Sequence, residues 1–69
     1  MNSTPRREAT RRRLIDAAVR EFAARGIDAT SVEQISEAAG FTRGAFYSNF
    51  ADKDELILAI VEDAHTATN

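Results

Sequence analysis

The stretch from Val32 to Phe50, VEQISEAAGFTRGAFYSNF, restricts the fold of this 69-residue chain more than any other segment. Val32, Ile35 and Ala39 recur at i, i+3 and i+7, and this spacing predicts a helix with one apolar stripe. Gly40 is expected to end that helix, because glycine readily adopts the left-handed conformation common at helix C-termini. The segment therefore predicts a short helix followed by a sharp turn.

A second short helix is predicted directly after this turn. Thr42 is a favourable N-cap residue, since its hydroxyl can accept a hydrogen bond from an unpaired amide of the first turn. The helix is expected to run from Arg43 to about Phe50, with Phe46 and Phe50 on its inner face. Two short helices joined by a tight turn form the helix-turn-helix unit, whose second helix can lie in the major groove of DNA.

Helices are also predicted on both sides of this unit. The first is expected from about Ala9 to Arg25, and Gly26 follows as its stop signal. Pro5 is an alternative start, because the missing amide of proline does no harm in a first turn. The inward-facing positions of this helix are predicted to be Leu14, Ala18 and Phe22.

Capping patterns mark the starts of the later helices. Thr30 with Glu33 forms the capping-box pattern T-x-x-E, and Ser31 with Gln34 offers the same arrangement one residue later, so both starts stay open. Asp52 and Glu55 form a third capping pattern, D-x-x-E, which is predicted to open a final helix. Its apolar face is expected to hold Leu56, Ile57, Ile60, Val61 and Ala64.

The charges are distributed unevenly along the chain. Residues 1–25 contain seven arginines against three acids, whereas residues 26–69 contain Arg43 and Lys53 against eight acids. Because DNA binding needs a basic face and not a basic total, the net charge of −2 does not exclude a nucleic-acid partner.

Composition excludes several other classes of protein. The chain has no cysteine, so a disulfide scaffold and a cysteine zinc site are ruled out. No apolar run approaches the roughly 18 residues of a membrane span, and we expect a cytoplasmic domain with no membrane partner. A single histidine, His65 near the end, gives no basis for a catalytic triad, and we expect neither an enzyme nor a cofactor.

The strings TSVEQISEAAG, FTRGAFYSNF and DKDEL resemble the N-terminal domain of the tetracycline-repressor (TetR) family of bacterial transcription regulators. The resemblance covers roughly Arg11 to Ala64, although Ser36 and Asn49 stand where the family commonly has alanine and histidine. It implies an all-α fold, namely a three-helix bundle with a homeodomain-like helix-turn-helix and the start of a fourth helix.

The expected organisation has three parts. A flexible basic arm over residues 1–8 precedes a helix-turn-helix DNA-binding domain over residues 9–51. Residues 52–69 are expected to begin a linking helix that leads to a C-terminal domain absent from this chain. The resemblance implies a sequence-specific regulator, expected to repress transcription. It also implies three partners. They are double-stranded DNA carrying a pseudo-palindromic operator, a second copy of the chain bound through the missing domain, and a small-molecule effector.

Nine residues are candidates for contact with DNA. Arg43 can form two parallel hydrogen bonds with guanine O6 and N7. Gly44 lets the backbone approach DNA closely, and the hydroxyl of Tyr47 suits a phosphate oxygen. A cation at the start of a helix is locally unfavourable, so Lys53 suggests a nearby anion, which the resemblance identifies as phosphate. The other candidates are Ser31, Thr42, Ala45, Ser48 and Asn49.

Each of these features also has a purely structural explanation. Arg43 can be an exposed arginine without a DNA contact, and Lys53 can be a solvated lysine. The N-terminal arginines can follow phosphates or the minor groove, or they can form a solvated face.

The alternative function is a small helical protein-interaction module that offers residues 56–64 to a partner helix and uses Arg43 and Tyr47 as anchors. Binding to DNA that falls steeply with salt separates the two functions.

Overall fold

A computed structural model describes the backbone of residues 5–67 and the side chains of residues 8–63. Within that range the chain is all-α, as the sequence predicts. The helices are α1 (Pro5–Arg25), α2 (Val32–Ala39), α3 (Arg43–Asn49) and α4 (Lys53–Ala67). The first three form the bundle, in which α2 and α3 are the helix-turn-helix unit, and α4 packs back against α1.

The first helix starts earlier than the preferred prediction. It begins at Pro5, the alternative start, and not at Ala9. Residues 5–8 were expected to belong to a flexible arm but are helical, whereas residues 1–4 of that arm lie outside the described residues. Proline is tolerated here because its missing amide would have had no intrahelical partner in the first turn.

The start of α2 uses the later of the two capping patterns. Ser31 is the N-cap, and its hydroxyl accepts a hydrogen bond of 3.1 Å from the amide of Gln34. The side chain of Gln34 accepts one of 2.9 Å from the amide of Ser31. The capping box predicted for Thr30 and Glu33 is wrong. Thr30 is buried, 1% exposed, and its hydroxyl donates to the carbonyl of Gly26, which is left open by the end of α1.

The turn between α2 and α3 forms at Gly40, as predicted. Gly40 has a φ of 84°, in the left-handed region where a side chain would be strained. Its amide donates to the carbonyl of Glu37 at 3.0 Å, and the amide of Phe41 donates to the carbonyl of Ser36 at 2.8 Å. These two bonds form a Schellman motif, which satisfies the last carbonyls of α2 and sets the direction of the chain into α3.

The core lies where all four helices meet. Its buried side chains are Leu14, Ile15, Ala18, Ile35, Phe46, Phe50, Leu56 and Ala59. The predicted apolar face of α4 is only partly correct, because Val61 is exposed while Ala59 is buried. The reason is that α4 touches the bundle along α1, and the i, i+3 pair Leu56 and Ala59 covers that narrow contact.

The same helix begins with a cap close to the predicted D-x-x-E pattern. The carboxylate of Asp52 accepts from the amide of Glu55 at 2.9 Å, and that of Glu55 accepts from the amide of Ala51 at 2.8 Å. Among the described residues, no helix combines the length and the apolar composition that crossing a membrane would require.

Candidate nucleic-acid interface

Two phenylalanines and a cap fix the position of α3. Phe46 is fully buried and Phe50 is 3% exposed, and their rings pack 5.6 Å apart between centroids. At the other end, the hydroxyl of Thr42 accepts a hydrogen bond of 3.3 Å from the amide of Ala45. Because one face of α3 is held in the core, its opposite face is presented to solvent in a fixed orientation.

Most of the candidate residues on α3 lie on this exposed face. Arg43, Gly44, Tyr47 and Ser48 are exposed, whereas Ala45 is half-buried. Tyr47 is 51% exposed, and its ring meets that of Phe46 edge-on, with centroids 5.4 Å apart and planes at 81°. The contact with Phe46 therefore restrains the orientation of the Tyr47 ring, while about half of the side chain remains accessible to solvent.

Gly44 has no structural requirement within the molecule. Its φ is negative, unlike those of Gly26 and Gly40. A Cβ at this position would meet the hydroxyl oxygen of Thr42 at 3.7 Å, which is an ordinary van der Waals contact. The fold would accept alanine here, so no contact among the described residues requires glycine at position 44.

Arg43 makes a contact that the sequence analysis missed. One terminal nitrogen of its guanidinium donates to the carboxylate of Glu33 in the first turn of α2. Both side chains remain well exposed, at 60% for Arg43 and 66% for Glu33. No helical spacing rule links residues ten positions apart on different helices, so only the angle between α2 and α3 reveals the pair.

Asn49 is turned partly toward its own helix. Its side-chain amide nitrogen donates to the carbonyl of Ala45 at 3.0 Å, and the residue is half-buried. One of its donors is thus engaged, which leaves less of the amide for an outside partner than the sequence analysis assumed.

The ammonium of Lys53 finds its acceptors inside the molecule, and these are neutral backbone carbonyls and not anions. Its ammonium donates to the carbonyl of Ile27 at 2.7 Å and to that of Thr30 at 2.8 Å. These two carbonyls lie in the loop between α1 and α2, so the lysine ties the start of α4 to that loop. The unfavourable position of a cation at a helix start therefore has an intramolecular explanation, and one of the three ammonium donors remains available.

An open cleft of about 750 Å³ between the start of α2 and the start of α3 brings several candidates together. It is lined by the candidates Ser31, Thr42 and Arg43 and by the acids Glu33 and Glu37, among others. The surface is therefore of mixed charge. Lys53 and the other five candidates on α3 do not line this cleft.

The N-terminal arginines contact other parts of the chain. The guanidinium of Arg11 lies 5.8 Å from the ring centroid of Phe50, and that of Arg13 lies 5.8 Å from that of Phe41. Arg12 forms an ion pair with Asp63 of α4. The side chains of Arg6 and Arg7 lie outside the described residues. Arg11, Arg12 and Arg13 thus each have a contact within the molecule, although Arg12 and Arg13 remain exposed.

Residues 14–60 match the family described as bacterial regulatory proteins, tetR family. The chain is 47% identical over 57 residues to the uncharacterized HTH-type transcriptional regulator YwcC of Bacillus subtilis, covering 83% of this chain and 26% of that protein. It is 43% identical over 58 residues to the HTH-type transcriptional regulator TtgR of Pseudomonas putida, covering 84% of this chain and 28% of TtgR.

A third relative is described as a repressor. An HTH-type transcriptional repressor of Mycobacterium tuberculosis is 40% identical over 55 residues, which cover 80% of this chain and 29% of that protein. The matched region thus spans less than a third of the length of each of these three relatives.

Proposed function

The chain belongs to the tetR family of bacterial regulatory proteins, and from this premise we propose that it is the DNA-reading domain of a sequence-specific transcription regulator that acts as a repressor. The observation that carries the proposal is the division of α3 into two faces. Its phenylalanines are buried, while its polar face is exposed beside the turn at Gly40. A helix anchored in this way can enter the major groove without any rearrangement of the bundle.

The proposed contacts divide into two kinds. Arg43, in the first turn of α3, reads a guanine by two parallel hydrogen bonds, and Gly44 allows the helix to approach closely. Ala45, Ser48 and Asn49 lie along the same helix near base edges or sugar–phosphate groups. The remaining contacts are to phosphate, from Ser31, Thr42, Tyr47 and the third donor of Lys53.

The finer properties of the regulator are inferred from family membership. The chain is proposed to work in the cytoplasm as part of a homodimer, formed through a C-terminal domain that also binds a small-molecule effector. The organisation proposed is a helix-turn-helix domain up to residue 51, followed by a linking helix. Two DNA-reading domains would meet a pseudo-palindromic operator, with half-sites about 34–36 Å apart or a multiple of that distance. Such regulators are not enzymes, and no catalytic role is proposed.

The decisive experiment replaces Arg43. After selection of a preferred site from random double-stranded DNA, Arg43→Ala should weaken binding to that site by about 1–3 kcal/mol and relax the preference at one base pair. Affinity for the selected site, and for the same site with each base pair changed in turn, is the measurement.

Arg12→Ala is the matched control for this experiment. Arg12 and Arg43 are equally exposed, at 59% and 60%, and each forms one ion pair with an acid. The Arg12 variant should keep the preference at every base pair, because Arg12 pairs with Asp63 of α4 and not with a residue of the helix-turn-helix unit. Equal weakening of Arg43→Ala on all DNA sequences would show that Arg43 contacts phosphate and reads no base.

One observation favours the alternative function of a protein-interaction module. Leu58 and Val61 of α4 are 61% and 57% exposed and lie three positions apart, so they form an exposed apolar pair on one helix. Leu56, which was expected on the same surface, is fully buried and unavailable to a partner. Indifference to DNA together with tight pairing to a protein would favour this function, whereas an affinity for DNA that falls steeply with salt would favour the first.

A further inference from the structure

Glu33 lies at an unexpected place for an acid in a protein that binds DNA. It is in the first turn of α2 and lines the cleft that also contains Arg43 and Thr42. The helix dipole favours an acid in a first turn, and this explains why a glutamate is tolerated there. It does not explain why the carboxylate reaches across to the guanidinium of the neighbouring helix.

The pair leaves Arg43 able to bind DNA. A guanidinium carries five N–H donors, and the contact with Glu33 uses one terminal nitrogen. Both side chains are more than half exposed, so their mutual attraction is small and corresponds to about a two- to fivefold effect on an equilibrium. The carboxylate thus restrains the orientation of the guanidinium without removing it from use.

The carboxylate distinguishes between two ways in which Arg43 can contact DNA. A phosphate that approaches the guanidinium brings a negative charge close to the carboxylate, and the two like charges repel each other. The edge of a guanine offers the acceptors O6 and N7 but carries no net charge. Glu33 therefore disfavours the phosphate contact of Arg43 more strongly than its guanine contact.

We propose that Glu33 is a positioning residue that directs Arg43 toward a base edge and away from the phosphate backbone. It thereby lowers the affinity for DNA in general and raises the discrimination at one base pair. This inference rests on the proposed DNA-binding function, because it assigns a partner residue to the arginine that reads the base. It also accounts for the mixed charge of the cleft, where a simple phosphate-binding surface would be basic.

The test compares Glu33→Gln with Glu37→Gln. Both substitutions remove one negative charge from the exposed surface of α2 that lines the cleft, so they differ in that Glu33 pairs with Arg43 and Glu37 does not. Affinities are measured for the selected site and for the same site with the Arg43-dependent base pair changed. Glu33→Gln should bind the changed site about two- to fivefold more tightly and should reduce the affinity ratio between the two sites by a similar factor. Glu37→Gln should leave that ratio unchanged.

A double-mutant cycle decides whether Glu33 acts through Arg43. In a chain that carries Arg43→Ala, the further substitution Glu33→Gln should not alter the affinity ratio, because the side chain that it positions is missing. Thermal unfolding of each variant checks that the fold is intact, and Glu33→Gln should lower the midpoint only slightly, because the exposed carboxylate contributes little through the helix dipole and its ion pair.

The possible failures can be told apart. If the unaltered chain selects no preferred site, the proposed function and this inference both fall. If Arg43→Ala relaxes the preference but Glu33→Gln and Glu37→Gln change it equally, the DNA-binding function stands and the positioning role of Glu33 is wrong. An effect of Glu33→Gln on the ratio that persists without Arg43 also overturns the positioning role.

Discussion

Gly44 is the residue at which stability and DNA binding should respond in opposite directions. Glycine in a helix is about 1 kcal/mol less favourable than alanine, and the site has room for a methyl group beside Thr42. The chain therefore carries a locally unfavourable residue on the exposed face of α3, although its own packing does not require one. A close approach by a partner would explain this choice.

We expect Gly44→Ala to raise the free energy of unfolding by up to about 1 kcal/mol and to weaken binding to the selected DNA site. Denaturant unfolding and a DNA titration on the same preparation measure the two effects. An alanine variant that is more stable and binds DNA as tightly as the original chain would mean that Gly44 has no role in close approach.

At the scale of the elements, Lys53 connects α4 to the loop between α1 and α2. Its ammonium is shared between the carbonyls of Ile27 and Thr30 in that loop, and the carbonyl of Ile27 also accepts from the amide of Thr30 at 3.3 Å. The carbonyl of Thr30 directly precedes Ser31, the N-cap of α2. The lysine therefore helps to hold α2 and α4 in their relative positions, whether or not it also contacts a phosphate.

Lys53→Met separates these two roles, because methionine keeps an unbranched side chain but has no N–H donor. Loss of the hydrogen bonds should lower the free energy of unfolding by about 1 kcal/mol. If Lys53 also contacts a phosphate, the slope of log affinity against log salt concentration should fall by about 0.9. Lower stability with an unchanged slope would limit Lys53 to its structural role.

At the scale of the whole molecule, a small core leaves little excess stability. A chain of 69 residues is expected to have a free energy of unfolding of roughly 3–10 kcal/mol. Phe46 is the largest of the fully buried side chains and contacts the rings of both Tyr47 and Phe50. One residue thus supports the core and the orientation of the candidate DNA-reading helix.

Phe46→Ala should cost about 3–5 kcal/mol, because it leaves a cavity at the centre of the core. Denaturant unfolding followed by helical circular dichroism measures this loss of free energy of unfolding. Leu58→Ala is the control, since Leu58 is 61% exposed and its loss should change stability by no more than about 0.5 kcal/mol. A Phe46→Ala variant whose free energy of unfolding falls no more than that of Leu58→Ala would contradict the central role of this side chain.

The sequence by itself determined the helices and the turn that relates them. Gly40 ends α2 in the left-handed conformation, and Thr42 caps α3, because both signals act between residues only a few positions apart. The inner positions Phe46 and Phe50 were predictable for the same reason, since the helical period fixes which side chains share a face. Such short-range effects are similar in any fold that contains the segment.

The tertiary structure alone decided which polar groups meet. Thr30 looked like a cap but is buried, because the carbonyl of Gly26 at the end of α1 offers its hydroxyl a partner. Lys53 donates to the carbonyls of Thr30 and Ile27, which are 23 and 26 residues away in the sequence. Arg43 pairs with Glu33, ten residues away on another helix. Contacts of this kind depend on the angles between helices, which a local pattern does not encode. Whether the exposed face of α3 then contacts DNA is a property of the complex and remains the prediction that Arg43→Ala tests.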